Sequence, residues 1–176
     1  FRTDLPRDRI RSRDGINEYV VVDAANTGTG ADVVLTEADI EIVMRAKAAT
    51  YAGIMTLLDS VNLTVHDLSR VIISGGLGDF LELEPCIRIG LLPDLPRERF
   101  RYIGNGSLLG ARLVAVSTDM LEDAKQLAQK ITYIELVENQ LFLDNYMSAM
   151  SFPHTNGQSF PSVRRSAPSA PMILAG

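Results

Sequence analysis

The sequence predicts an α/β fold, a sheet flanked by helices, and three observations carry that expectation. Short β-branched runs alternate with longer helical patterns along the chain. Two of those runs, "VIISGG" and "RYIGNG", end in glycines placed just before a helical pattern. The 176 residues are 46% hydrophobic, which suffices for one sizeable core at a length of roughly one domain.

The first elements read as paired strands. "EYVVVDAA" (18–25) and "ADVVL" (31–35) are short β-branched runs joined by "NTGTG", whose glycines permit a tight turn. A long helix follows in "TEADIEIVMRAKAATYAGIMTLLDSV", with Thr36 as hydroxyl cap and Asp39 three residues on, and it runs to near Asn62. Its apolar stripe takes in Ile40, Val43, Met44, Tyr51, Ile54, Leu58 and Val61. Lys47 falls inside that stripe, so its ammonium must reach water or meet a partner. Ala48, Ala49, Ala52 and Gly53 lie beside it, as suits tight helix packing.

"SRVIISGG" (69–76) reads as a fully buried strand, because its apolar residues run without polar alternation. Pro85 begins a short helix in "PCIRIGLL". "RYIG" is a further strand, entering the helix "NGSLLGARLVAVS", which Asn105 or Ser107 could cap and in which Gly110 and Ala111 take closely packed positions. "TDMLEDAKQLAQKI" is amphipathic with Leu121, Ala124, Leu127 and Ala128 inward; "TYIELV" reads as a strand and "ENQLFLDNYMSAM" as a last helix. Prolines and serines gather from Ser151 onward. The expected division is therefore a folded region over 1–150 and an extended tail over 151–176 without a core of its own.

Bulk properties exclude several classes. Net charge is −5 with Lys and Arg scattered, which disfavours a nucleic-acid partner. The single Cys86 can form no internal disulfide and cannot alone hold a metal or an iron–sulfur cluster; a cytoplasmic setting fits. No apolar run approaches the roughly 20 residues that span a bilayer and no signal-peptide pattern opens the chain, so no membrane role is expected. The opening "FRTDLPRDRIRSRDG" reads as the middle of a longer polypeptide.

The glycines of "SGGLGD" let a flat ligand approach the main chain without Cβ obstruction, but they serve equally as a sharp strand exit. There is no "GxxxxGK[ST]", and the spacing is not that of a dinucleotide fingerprint. A second corner of the same kind, "GNGSLLGA", stands between strand and helix, where backbone N–H groups can hold polar or anionic groups; it also reads simply as a capped corner. His66 and His154 have no Ser or Cys nucleophile pattern about them. Asp79 and Glu82 read as solvated or capping carboxylates, and no residue is assigned a catalytic role.

Together, "TGTGADVVLTEADI", "RAKAATYAGIMTLL", "VIISGGLGDFLELEPCIRIGLLPDLP", "RYIGNGSLLGARLVAVS" and "SFPHT" resemble, in order, the carboxy-terminal actin-like ATPase domain of the reductive activators of corrinoid proteins. The resemblance implies a ribonuclease H-like subdomain whose strand ending in "GG" forms the adenosine motif. Gly75, Gly76, Leu77 and Gly78 would then face the nucleotide, with Lys47 reaching it from the neighbouring helix. Gly104, Asn105, Gly106 and Gly110 would form the second connecting motif, which hinges the subdomains. It implies further that the whole protein uses ATP with Mg2+ and an iron–sulfur cluster in an upstream domain to return cob(II)alamin of a corrinoid protein to cob(I)alamin. Such corrinoid proteins serve methyltransferase systems such as O-demethylases, and a homodimer is possible. The phosphate and magnesium motifs and the cluster cysteines would lie upstream, so this piece alone would bind no cofactor of its own and be inactive. The alternatives are another actin-like ATPase or small-molecule kinase, or a non-enzymatic docking or dimerisation module.

Overall fold

The Asp14–Gly15 pair turns the chain first. Both residues have positive φ, 53° and 79°, the conformation of a two-residue hairpin turn whose twist matches its strands. It joins β1 (Ile10–Arg13) to β2 (Ile16–Val22), and β3 (Val33–Thr36) completes a three-stranded antiparallel sheet in the order β1-β2-β3. The β2–β3 pairing is the expected one, whereas β1 lies in the charged opening segment. Here alternating arginines hid the strand, although "DG" between Arg13 and Ile16 was a signal for the turn. The computed structural model describes residues 6–76, 78–136 and 138–166, and divides into two compact units, 1–46 and 47–176.

In the first unit, Glu18 is buried and accepts a 2.6 Å hydrogen bond from Arg11 Nε, while Arg11 Nη1 lies 2.8 Å from Asp32. Asp32 in turn accepts from the Ala24 N–H at 2.6 Å, which closes the loop between β2 and β3. That N–H, with Arg11, holds the Asp32 carboxyl below its usual range.

Helix α1 (Glu37–Ser60) starts on a reciprocal cap: Asp39 N–H donates to Thr36 Oγ1, and Thr36 N–H and hydroxyl donate to Asp39. The long helix and its start were legible, and so was part of its buried face, since Lys47, Tyr51 and Leu58 of the expected stripe and Ala48 and Ala52 beside it are buried. Thr56 is buried as well, whereas Val43 and Val61 of the expected stripe are exposed and Ile42 is 66% exposed. The small residues win because they admit close neighbours.

In the second unit a parallel pair, β4 (Val71–Ile73) and β5 (Phe100–Tyr102), lies in register Val71↔Phe100, Ile72↔Arg101 and Ile73↔Tyr102. β4 is shorter and less buried than its unbroken apolar run suggests, since Ile72 is 60% exposed. α2 (Leu83–Ile89) ends on Gly90 in the left-handed conformation, and α3 (Gly106–Val116) and α4 (Thr118–Ala128) follow β5. Neither α3 nor α4 buries a residue fully, so the inward face expected for α4 is open here. The described residues 132–136, expected as part of a strand, form no strand. α5 (Gln140–Ala149) and α6 (Pro161–Ser166) close the order.

The core of this unit is Ala48, Tyr51, Cys86, Ile87, Leu92, Leu95, Phe100, Ala149 and Phe160. Phe160 lies beyond the composition break at Ser151 yet is fully buried, packing against Tyr51 with ring centroids 5.5 Å apart. A buried aromatic contributes about 2–3 kcal/mol through the apolar area removed from water. The described part of the proline- and serine-rich segment is thus core-forming as far as α6.

Candidate functional site

Parallel strands leave a crevice outside their carboxyl ends, the usual place for a ligand in an α/β sheet. Both glycine corners lie there. The Gly75 N–H donates to Gly104 O at 2.9 Å, continuing the β4–β5 ladder past the strands, and Ile103 N–H donates to Ile73 O at 3.1 Å. Ser74 Oγ donates to Gly104 O at 3.2 Å and accepts from Gly106 N–H at 3.1 Å. The two motifs that sequence reading treated separately are therefore one structure, stitched by Ser74. No sequence signal had singled out Ser74.

Glycine is demanded at two of these places for different reasons. Gly75 has φ +100°, which side chains resist. At Gly106 a Cβ would stand 2.5 Å from Ser74 Oγ, so any larger residue would push the corners apart. Around Gly75 and Gly76 the opposite holds: a Cβ would meet nothing within 4 Å, so the main chain faces open space. Gly78 begins a single 3-10 turn (Gly78–Phe80) packed down on Ile73, whose Cγ2 would lie 2.9 Å from an added Cβ. Asn105 caps α3, its side chain accepting from Leu108 N–H at 2.9 Å, so of the two cap candidates the asparagine serves. Leu77 and the Asp79 side chain lie outside the described residues.

Two expectations are corrected. Lys47 is 1% exposed and its ammonium donates to Ser151 O at 2.5 Å and Pro153 O at 2.7 Å, with the Phe152 ring centroid 5.6 Å away. A lysine so enclosed meets its need for partners inside the fold and holds the chain reversal after α5 instead of reaching a nucleotide. Burial pulls its pKa down to about 8. Gly110 is not a close-packed position in this chain, since a Cβ there would meet nothing within 4 Å, and the neighbouring Ala111 is exposed.

The histidines stand apart from the crevice chemistry. His154 packs on Tyr51, centroids 5.4 Å apart, and burial lowers its pKa, with the nearby Lys47 charge acting the same way. Cys86 is buried and its thiol is pushed up, chiefly by burial. Among the described residues no three His, Cys, Asp or Glu side chains converge on a point where a metal could sit. No helix of the described residues is long and apolar enough to cross a membrane.

The chain is a mixed α/β domain whose two glycine corners meet at the ends of a pair of parallel strands. A family described as the C-terminal domain of RACo, the ASKHA domain, matches residues 1–164, and the chain belongs to that family. Among solved structures, a reductive activator for a corrinoid, iron–sulfur protein superposes with a TM-score of 0.81 at 43% identity, over 90% of this chain and 25% of that one. The corrinoid activation enzyme RamQ of Eubacterium limosum is 30% identical over 148 residues, 81% of this chain and 25% of the relative. A [Co(II) methylated amine-specific corrinoid protein] reductase of Methanosarcina barkeri is 28% identical over 125 residues, 70% of this chain and 23% of the relative. The chain thus spans about a quarter of the length of these relatives.

Proposed function

We propose that this chain is the adenosine-holding part of an ATP-dependent reductive activator, in which nucleotide hydrolysis drives an uphill electron transfer to a corrinoid protein. The observation that carries this reading is the open main chain at Gly75 and Gly76, in a domain whose family is that of reductive activators. An ATP molecule fits there chemically: a flat base and ribose can lie against a backbone without side chains, at the carboxyl ends of parallel strands. Gly75 and Gly76 bind and orient the nucleoside, while Ser74 fixes the distance between the two corners that flank it. Gly104, Asn105 and Gly106 set the start of α3, through which occupancy of the crevice would be felt across a hinge.

In the whole protein the substrate is cob(II)alamin of a corrinoid protein in a methyltransferase system. It takes one electron, given up by a reduced iron–sulfur cluster, and becomes cob(I)alamin as ATP is hydrolysed to ADP and phosphate. Neither the cluster nor the magnesium fits the residues described here, since the one cysteine is buried and no set of ligands converges. Both are assigned to the longer polypeptide.

Gly76→Val tests the reading. Its backbone needs no positive φ and its Cβ direction is open, so the variant folds, yet the branched side chain fills the space in front of the main chain. In the intact polypeptide, reduction of a Co(II) corrinoid protein, followed by its absorbance, should require ATP. It should fall at least ~10-fold in Gly76→Val with an unchanged melting temperature. Reduction independent of ATP, or phosphorylation of a small acid or sugar instead, would overturn the reading.

A further inference from the structure

Tyr51 is 4% exposed and its ring packs on Phe160 and His154, yet its hydroxyl meets no hydrogen-bond partner among the described residues. A buried phenol ordinarily finds one, because desolvating it unpaired is costly. Burial also pushes its pKa up, so the hydroxyl keeps its proton and can donate it. Tyr51 lines a cavity of about 150 Å3 enclosed by four segments of the second unit: α1, the approaches to β4 and β5, and residues 158–161. Met55, Val65, Pro93 and Pro161 make its walls apolar, while Gln158 and Ser159 add side chains that make no hydrogen bond among the described residues. Asp94 borders the cavity with its carboxylate already matched by Arg97 and Ser162, and His66 is exposed, so no unpaired charge is buried there. None of the lining residues belongs to the glycine corners. Water would pair with the hydroxyl but not with the apolar walls.

We infer that this cavity binds a small uncharged molecule with one apolar ring and a hydrogen-bond acceptor such as a carbonyl. The ring lies against the Met55, Val65 and proline walls, and the acceptor takes the proton of the Tyr51 hydroxyl. A cavity of this size admits a single six-membered ring, and apolar walls with a few placed polar groups suit such a ligand. A charged ring is rejected, since it would be desolvated without an opposite charge to meet it. The ligand bridges α1 to the segment that carries Phe160 and leads into α6, and so holds down the part of the chain whose composition is that of a tail. The site is independent of the nucleotide reading.

The test is calorimetric titration of the intact polypeptide and its Tyr51→Phe and Val65→Phe variants with benzamide, toluene and benzoate. Wild type should bind benzamide and reject benzoate. Tyr51→Phe keeps the ring and its stacking, so it should bind benzamide about 5-fold more weakly and hold toluene as well as wild type does. Val65→Phe fills the cavity from its wall and should bind neither benzamide nor toluene. In wild type, saturating benzamide should also slow amide exchange at Phe160, a readout that needs no variant to fold. The proposal is overturned if wild type binds no benzamide, if benzamide leaves exchange at Phe160 unchanged, or if Tyr51→Phe binds benzamide as tightly as wild type. Benzamide binding that survives in a folded Val65→Phe would place the ligand elsewhere and overturn it too.

Discussion

At the scale of single residues, Lys47 has the clearest consequences. Its ammonium satisfies two carbonyl groups of the 151–153 turn from inside the fold, so Lys47→Met, which keeps the length and removes the donors, leaves those oxygens unpaired. A loss of about 2 kcal/mol is expected in denaturant unfolding. The pH dependence has a definite sign. Lys47 titrates at about 8 in the folded chain against 10.5 for a free lysine. Between those values the unfolded chain holds the extra proton, so this group's contribution to stability rises with pH from about 8 to 10.5 and is flat below. Lys47→Met should flatten that part of the stability profile; an unchanged slope would show that the lysine is not the group responsible. Gly90 guards the same turn, for at φ +79° a Cβ would lie 2.1 Å from Pro153 O.

At the scale of elements, the attachment of α6 depends on one carboxylate. Asp94, its side chain 3% exposed, accepts from Ser162 N–H and Ser162 Oγ, both at 2.7 Å, and from Arg97 Nη1 at 2.8 Å. Arg97 also grips Glu84 of α2 through Nε at 2.6 Å and Nη2 at 2.9 Å, so α2, the following loop and α6 are tied at one point. Burial by itself would raise the Asp94 carboxyl, but Arg97 and Ser162 outweigh it and hold it below its ordinary value of 3.8. The stability it contributes is therefore complete above about pH 3.8 and lost as pH falls through the lower folded value. Asp94→Ala should cost about 2–3 kcal/mol and release α6, seen as faster amide exchange at Ser162 and Val163. Asp94→Asn should fall between the two and lose part of the acid sensitivity. Protection at Ser162 that survives Asp94→Ala would refute this attachment.

At the scale of the molecule, the open faces matter more than the closed ones. α3 exposes Leu108 at 57% and Val116 at 82%, and α4 exposes Leu127 at 66%. The chain is a quarter of its relatives' length, and with the nucleotide reading this gives a prediction for the 176-residue chain taken alone. It should bind ATP at least ~10-fold more weakly than the intact polypeptide and hydrolyse none measurably, because adenosine contacts alone leave the phosphates and their magnesium unheld. Calorimetry and phosphate release on the two proteins decide it, and tight binding or turnover by the short chain would show the phosphate site to be within it.

Local signals were enough for the α/β class, the β2–β3 pairing, the Thr36–Asp39 helix start, the Asn105 cap and the two glycine corners, since each is written in neighbouring residues. The ordered motifs carried the family as well. Other features depend on residues far apart in the chain, and no local pattern reports them. Whether Lys47 would meet a ligand or a backbone depended on Ser151 and Pro153, more than a hundred residues away. Composition marked 151 onward as a tail, but Phe160 found its place against Tyr51 only once the chain had folded. The union of the two glycine corners likewise required β4 and β5 to pair across a long connection. A run of β-branched residues states that a strand forms; which strand lies beside it is settled by the core that buries them both.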